Sequence, residues 1–397
     1  MSHDPAASSD RPLDIVVFGA TGFTGRLTAE YLARHGGSDL RWGIAGRNAQ
    51  KLQALADELV AQGAPQAPEQ IQASLDDPAS LRAMAQRARV VATTVGPYIK
   101  YGEPVVEACV AAATDYVDIT GEPEFVDQIR KRFGDTARDK GLRLVSCCGF
   151  DSIPHDLGAY YAVRHLGADA PIRLEGVVSA SGTFSGGTWH SAVEAMGRFR
   201  RWGLSGKGKK KRPEHDRVVR PLKQKVRRER RIKGWMVPMP TIDPVIVLRS
   251  ARDLEEYGPD FRYAHYMRVG SLPAVMALGA GLSTVFTMAQ LPPTRKLLLK
   301  MRSPGQGPDA ETRAKSHFRV TFLGTAGDKK VVAEVRGGDP GYGETSKMLA
   351  ESALSLALDR DRLPERYGHL TPASAMGDVL LERLQEAGIV FTVREGG

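Results

Sequence analysis

Leu13-Asp14-Ile15-Val16-Val17-Phe18-Gly19-Ala20-Thr21-Gly22-Phe23-Thr24-Gly25 is the stretch on which the fold turns. A short apolar run meets three glycines at every third position, and an apolar-periodic stretch then continues to His35 before Gly36-Gly37 stops it. The pattern predicts a buried strand, a tight turn and a helix. Glycine is required there because the turn is sharp, the backbone must approach a pyrophosphate and the helix must pack close to the strand. The first N–H groups of the helix then face the phosphates with the positive end of its dipole. Gly19, Ala20, Thr21, Gly22, Phe23, Thr24 and Gly25 are therefore assigned to cofactor binding.

The same alternation continues outward. Arg41–Ala45, Ile71–Ala73, Val90–Val95, Tyr116–Ile119 and Leu142–Cys147 read as strands. Asn48 caps a helix whose Leu52, Leu55, Ala56 and Leu59 share a face, and Pro78–Arg87, Glu103–Ala113 and Glu124–Lys140 read as further helices. This predicts an α/β fold, a Rossmann-type doubly wound parallel sheet over residues 13–150, behind a disordered lead-in at 1–12. After Cys148 the pattern changes. A helix at Ile153–Leu166 is followed by alternating runs at Arg173–Ala180, Pro244–Ser250 and Phe261–Val269. A hairpin follows, with Phe318, Val320 and Phe322 on one face, a turn at Gly324–Asp328 and a return at Lys329–Arg336. Residues 151–340 are thus expected to form a second, α+β domain with an antiparallel sheet, for substrate binding or oligomerisation. Helical patterns at Thr345–Leu358 and Ala373–Ala387 place 341–397 back on the Rossmann domain.

The strand ends select the cofactor. The second strand ends in Ala45-Gly46-Arg47-Asn48, with Lys51 one turn on. A cation with no acid suits a 2′-phosphate, so NADP(H) is expected over NAD. Ligands in such sheets lie beyond the carboxyl ends of strands. This brings in Thr94, Val95, Gly96 and Pro97 after the fourth strand, with Gly96-Pro97 by the nicotinamide, and Gly121 after the fifth. No tyrosine has a lysine four residues later, no G-x-S-x-G elbow occurs, and the nine histidines form no metal-binding helical pair, so no metal is expected. Tyr98 is the first candidate proton or hydrogen-bond donor, with Tyr101, Asp151 and His155 behind it.

The net charge of +9 is local. Fourteen Lys and Arg against three acids fall within 205–233, and the rest of the chain is slightly acidic. A globally basic nucleic-acid coat is excluded, and no nucleic acid is expected. Pro213, Pro221 and the lack of apolar periodicity suggest a mobile loop or ribbon, suited to a solvated insert, an anionic membrane surface or an acidic carrier protein. Residues 269–294 carry no charge. They admit a bilayer span, a buried helix or an interfacial one, the last supported by the basic amphipathic run Arg295–Arg302. Cys109, Cys147 and Cys148 form no C-x-x-C, which suits a reducing compartment. The start lacks a signal-peptide pattern, so a cytoplasmic protein, peripheral to the cytoplasmic membrane, is expected.

GATGFTG, AGR, VGPY-x-x-YGEPVVEAC, YVDITGE, CGFDSIPHDLG, GGDPGYGETSKM and LTPASAMGD occur in this order. Together they resemble the saccharopine dehydrogenase-like oxidoreductases, and within them the trans-acting enoyl reductases, from about Leu13 to Val393. The resemblance implies an NAD(P)-binding Rossmann domain followed by an α+β domain, and reduction of a carbon–carbon double bond in polyketide-derived lipids in trans to the synthase. Related members are associated with membranes or lipid droplets. Carried over to this chain, it implies Gly19 to Gly25 at the pyrophosphate, Arg47 at the 2′-phosphate, Asp76 on the adenine side and Gly96, Pro97 and Tyr98 flanking the nicotinamide. No cluster for the dicarboxylate of true saccharopine enzymes is evident. The expected activity is an NADPH-dependent enoyl reductase acting on a lipid or acyl-carrier-bound substrate, with a homodimer as an open arrangement. The alternatives are an NADP-binding membrane or lipid-droplet protein without turnover, and a saccharopine or amino-acid reductase.

Overall fold

Strand β1 (Leu13–Phe18) is buried at all six positions. A strand covered by helices on both faces must be, which is why it reads as an unbroken apolar run. Its one acid, Asp14, is held by Arg41 at 2.8 Å. The structure, a computed structural model, describes residues 11–181, 193, 196, 197, 217–301 and 308–395. The first ten residues of the expected lead-in lie outside these, and Arg11 is tied to the carbonyl of Ala85 at 3.1 Å. The chain divides into two units, residues 1–157 with 338–389, and 158–337 with 390–397.

The first unit continues as α1 (Phe23–His35), β2 (Trp42–Gly46), α2 (Ala49–Ala61), β3 (Glu69–Gln72), α3 (Pro78–Arg87) and β4 (Ala88–Thr93). Then come α4 (Tyr98–Ala112), β5 (Asp115–Asp118), α5 (Pro123–Asp139) and β6 (Arg143–Val145), and α6 (Ile153–Leu166) runs across the boundary into the second unit. The starts of α2 and α3 are set by their own N-cap side chains: Asn48 accepts from the Lys51 N–H at 2.9 Å, and Asp77 from the Ala79 N–H at 3.0 Å.

The second unit carries β7 (Ile172–Ser181), β8 (Val218–Pro221), β9 (Arg227–Glu229), β10 (Gly234–Pro238), α7 (Asp243–Asp253) and β11 (Asp260–Val269). It continues with α8 (Leu272–Gln290), α9 (Pro292–Lys300), α10 (Ala310–Lys315), β12 (His317–Ala326) and β13 (Lys329–Gly337). The chain then returns to the first unit with α11 (Gly343–Leu358), β14 (Gly368–Leu370) and α12 (Pro372–Glu386), and ends on β15 (Val390–Glu395) in the second.

The first sheet is wholly parallel, in the order β14-β6-β5-β4-β1-β2-β3. The register sets Val17 of β1 beside Ile44 on one side and Ala92 on the other. Helix α11 packs against α1 and the central strands β1, β4 and β5, so the carboxyl-terminal segment completes this unit.

The second sheet runs β15-β13-β12-β7-β11-β10-β9, with β8 also on β11. It is mixed, not purely antiparallel as the alternating runs suggested. β7 pairs antiparallel with β12 but parallel with β11 and β8 is also parallel to β11. A parallel pair needs a long crossover, and the stretch between β7 and β11 supplies it. The hairpin turn is tighter than expected: β12 runs through Gly324 to Ala326, and Gly327 turns the chain at φ +56°.

One further expectation changes, and two sets of alternatives narrow. Pro244–Ser250, read as a strand, is the helix α7. Pro244 stands in its first turn, where a missing N–H is harmless, and Ile246, Val247, Ser250 and Ala251 are buried at helical spacing. The uncharged stretch is not buried: of the nineteen residues of α8 only Ala289 is. Of the loop and ribbon alternatives for the basic segment, residues 217–233 take the ribbon, with Arg227 paired to Glu229 at 2.9 Å; residues 205–216 lie outside the described residues.

Candidate cofactor and active site

The glycine turn is a cradle that side chains would fill. Gly19 sits at φ +86°, and a Cβ on it would stand 2.6 Å from Val95 Cγ2. A Cβ on Gly25 would overlap the Gly19 carbonyl oxygen and stand 2.7 Å from Thr94 Oγ1. Gly22 N donates to Gly19 O at 2.9 Å and Arg26 N to Gly22 O at 2.8 Å. The N–H groups of Phe23, Thr24 and Gly25 therefore precede the first intrahelical bond of α1. Open backbone donors, a dipole end and no Cβ make this turn fit a pyrophosphate. Thr94 and Val95, at the end of β4, form the wall behind Gly19. Ala20 donates its N–H to Ala45 O at 3.3 Å, which ties the turn to β2. Thr21 is exposed at the tip.

Arg47 and Lys51 are both exposed at the carboxyl end of β2, and Arg47 lends its carbonyl to Gln72 at 3.2 Å. Asn48, expected at the cofactor, is engaged as the cap of α2. Asp76 is exposed in the turn after β3, its N–H donated to Ser74 Oγ at 3.3 Å.

The β4–α4 loop is held by an acid that the sequence did not single out. Pro97 offers α4 no side-chain cap; instead the buried Glu122 carboxylate accepts from Tyr98 N at 3.0 Å and Ile99 N at 3.1 Å. Gly96 and Pro97, joined by a cis peptide, lie directly before this clasp. Tyr98 is not poised as a donor to substrate. Its ring is buried beside Phe125 at 5.7 Å, and its hydroxyl donates to Thr93 O at 2.9 Å. Burial, before the nearby Asp118 charge, pushes its pKa well up. Tyr98 thus fixes the loop, and Tyr101, one turn on, is exposed.

A buried polar network joins the ends of β5, β6 and β14. Asp118 accepts from Thr120 N at 2.9 Å, Cys147 N at 3.1 Å and Ser146 Oγ at 2.9 Å. Ser146 Oγ also meets His369 Nε2 at 3.2 Å. Desolvation raises the Asp118 pKa to about 6 despite these bonds. Burial likewise pushes the Cys109 and Cys148 thiols up, which leaves them unreactive. Asp151, partly exposed, stands beside Gly121: a Cβ on that glycine would be 3.3 Å from Asp151 Oδ2. His155 is buried in the first turn of α6, edge-on to Phe150 at 5.3 Å.

The chain's return brings a second layer onto the glycine turn. Tyr342 meets Phe23 edge-to-face at 4.7 Å, and Ser346 Oγ donates to Thr24 O at 3.2 Å. Asp339 organises the approach by accepting from Gly343 N at 3.0 Å, while Glu344 accepts from Gly338 N at 3.0 Å and pairs with Lys347 at 2.9 Å.

Residues 15–143 match the saccharopine dehydrogenase NADP binding domain family. A trans-acting enoyl reductase from Mycobacterium ulcerans is 34% identical over 97% of this chain and 99% of its own. This chain belongs to the trans-acting enoyl reductase branch of the saccharopine dehydrogenase-like oxidoreductases. A Mycobacterium tuberculosis relative is 41% identical over 96% of this chain and 97% of its own. The apo saccharopine dehydrogenase (L-Glu forming) of Saccharomyces cerevisiae shares the fold, with a TM-score of 0.54 at 12% identity over 97% of this chain and 100% of that one.

Like the branch, this chain is an NADP-dependent oxidoreductase, and NADP(H) is its cofactor. Of the residues expected at the site, the structure gathers Gly19 to Gly25, Thr94 and Val95 around one turn. It sets Arg47 and Lys51 at the neighbouring strand end, engages Asn48 as the cap of α2 and buries Tyr98 and His155. Glu122, Asp118, Tyr342 and Ser346 were not foreseen. Their motifs, YVDITGE and GGDPGYGETSKM, were visible, but each acts across a tertiary contact that no local periodicity encodes.

Proposed function

We propose that this enzyme is an NADPH-dependent reductase of the carbon–carbon double bond of an α,β-unsaturated acyl chain, lipid or polyketide-type, presented by a carrier or synthase. The observation that carries the reading is likeness over nearly the full length to proteins named trans-acting enoyl reductases, on a chain whose glycine cradle fits the dinucleotide. The N–H groups of Phe23, Thr24 and Gly25 would hold the pyrophosphate and Arg47 the 2′-phosphate. The Gly96-Pro97 loop, clasped by Glu122, would set the nicotinamide side. When bound, NADPH supplies the hydride for the β-carbon.

Charge then gathers on the acyl carbonyl oxygen, and the α-carbon needs a proton. Asp151 is the proposed source. Of the four candidates Tyr98 and His155 are buried, Tyr101 lies out on the second turn of α4, and Asp151 stands partly exposed beside Gly121 at the strand ends.

Steady-state NADPH oxidation with an enoyl thioester tests both points. Asp151→Asn should lower kcat at least about tenfold and remove one limb of the pH–rate profile while leaving NADPH affinity intact. Tyr98→Phe should keep turnover. Unchanged kcat and pH profile in Asp151→Asn removes the donor assignment. Turnover of an imine of 2-oxoglutarate in place of any enoyl thioester overturns the reaction class.

A further inference from the structure

Helix α8 is nineteen residues long, carries no charge and buries only Ala289. Met276 is 70% exposed, and Leu272 and Leu282 are 48% exposed. At 100° per residue, the exposed positions Leu272, Met276, Ala277, Ala280 and Leu282 wrap more than half of its circumference. The flat face of another protein would cover one stripe of such a helix, whereas a lipid phase covers all of it. Its hydroxyls are turned inward: Ser283 donates to Gly279 O at 2.8 Å, Thr284 to Ala280 O at 3.0 Å and Thr287 to Ser283 O at 2.8 Å. Each thereby satisfies its proton within the helix, as a helix surrounded by hydrocarbon requires.

The topology decides how such a helix can meet a bilayer. β11 enters α8, and β12 follows it after α9 and α10; both strands pair with β7 in one sheet. Both ends of the excursion therefore start and finish on the same side. The return, residues 291–316, holds eight charged residues, and Leu298 of α9 shares one buried apolar cluster with Ala289 of α8. A single span is incompatible with this path; a one-sided hairpin is not.

The charge around the hairpin has one sign. From Arg268 to Arg302 there are five cations and no acid, and residues 217–233 hold nine cations against Glu229 alone. The two sets meet at the base of α8, where Arg268 donates to Ile232 O at 2.8 Å and Lys233 O at 3.0 Å.

We propose that the α8–α9 hairpin is a monotopic anchor that seats this enzyme on an anionic lipid surface. α8 lies among the acyl chains of one leaflet, and the cations of α9 and the 217–233 ribbon lie at the headgroup phosphates. This holds whatever acyl group the enzyme reduces.

The test is flotation of the full chain with vesicles of phosphatidylcholine alone, and with phosphatidylglycerol as about one third of the lipid. The protein should float with the anionic vesicles, and added salt should weaken this. Met276→Glu with Leu282→Glu, both exposed and therefore neutral to folding, should lower partitioning at least about tenfold with unchanged NADPH affinity and melting. Lys296→Glu with Lys300→Glu should reduce binding to the anionic vesicles only. The proposal is overturned if the full chain stays unbound with both vesicle types. It is also overturned if the Met276/Leu282 variant floats like the wild type, or if light scattering shows a dimer dissolved by that variant with no vesicle binding.

Discussion

Replacing Gly25 by alanine places a methyl group where the structure has no room. The new carbon would overlap the Gly19 carbonyl oxygen, stand 2.8 Å from Gly19 C and 2.7 Å from Thr94 Oγ1. An unstrained carbon–carbon contact needs about 3.5 Å, so the start of α1 must retreat from the turn by roughly 0.7 Å or more. Two of the three neighbouring atoms are backbone, so no rotamer change relieves the clash. Overpacking of this kind costs about 1–3 kcal/mol of stability. The same retreat moves the Phe23, Thr24 and Gly25 N–H groups off the pyrophosphate. At about 1.4 kcal/mol per decade, the expected rise in Kd for NADPH is about ten- to a hundredfold. Fluorescence titration with NADPH and urea unfolding would measure both quantities. Gly279→Ala is the control, because nothing lies within 4 Å of its added carbon and it sits in a helix that alanine favours. Wild-type NADPH affinity and stability in Gly25→Ala would refute the reasoning.

Arg47→Glu should weaken NADPH by about ten- to a hundredfold, the loss of a charged hydrogen bond, while leaving NADH unchanged or better; equal losses for both cofactors would remove Arg47 from the 2′-phosphate. Glu122→Gln puts an amide donor against one of the two N–H groups that begin α4 and removes a charge from the dipole end. It should cost about 2 kcal/mol in urea unfolding and raise KM for NADPH, and an unchanged unfolding midpoint would contradict the clasp. Asp118 gains stability in its protonated form, because its folded pKa of about 6 lies above the ordinary 3.8. Its contribution is therefore complete below about pH 4 and lost as pH rises through about 6, an excursion of about 3 kcal/mol. Relative to Asp118→Asn, the wild type should lose that much stability between these limits, and parallel pH–stability curves for the two proteins would disprove it.

Much of the first unit was legible because its physics is local. A strand buried on both faces shows as LDIVVF, and a pyrophosphate turn shows as glycines, of which Gly19 and Gly25 leave no room for a Cβ. The second unit was harder. Pro244-Val245-Ile246-Val247-Leu248 is too short an apolar run to separate period 2 from period 3.6, and only burial of Ile246, Val247, Ser250 and Ala251 settles it as a helix. The mixed sheet followed from a crossover that alternation cannot reveal. At the site, the glycine loop is readable in the sequence, but for Tyr98 the sequence offers only nearness to the loop. The sequence could not show that its hydroxyl is already given to Thr93, or that Glu122 reaches back 24 residues to cap α4. Tyr342 and Ser346 reach the turn from more than 300 residues away, as a motif whose role appears only once the chain has folded.

The central claim is hydride delivery from NADPH to a carbon–carbon double bond. Its most direct measurement is mass spectrometry and NMR of the product formed from an α,β-unsaturated acyl thioester with NADPH deuterated at the transferable C4 position. The saturated acyl chain should appear with one deuterium at the β-carbon and a solvent proton at the α-carbon. An intact double bond with deuterium at a reduced carbonyl or imine carbon, or no label transfer to any enoyl chain, would contradict it.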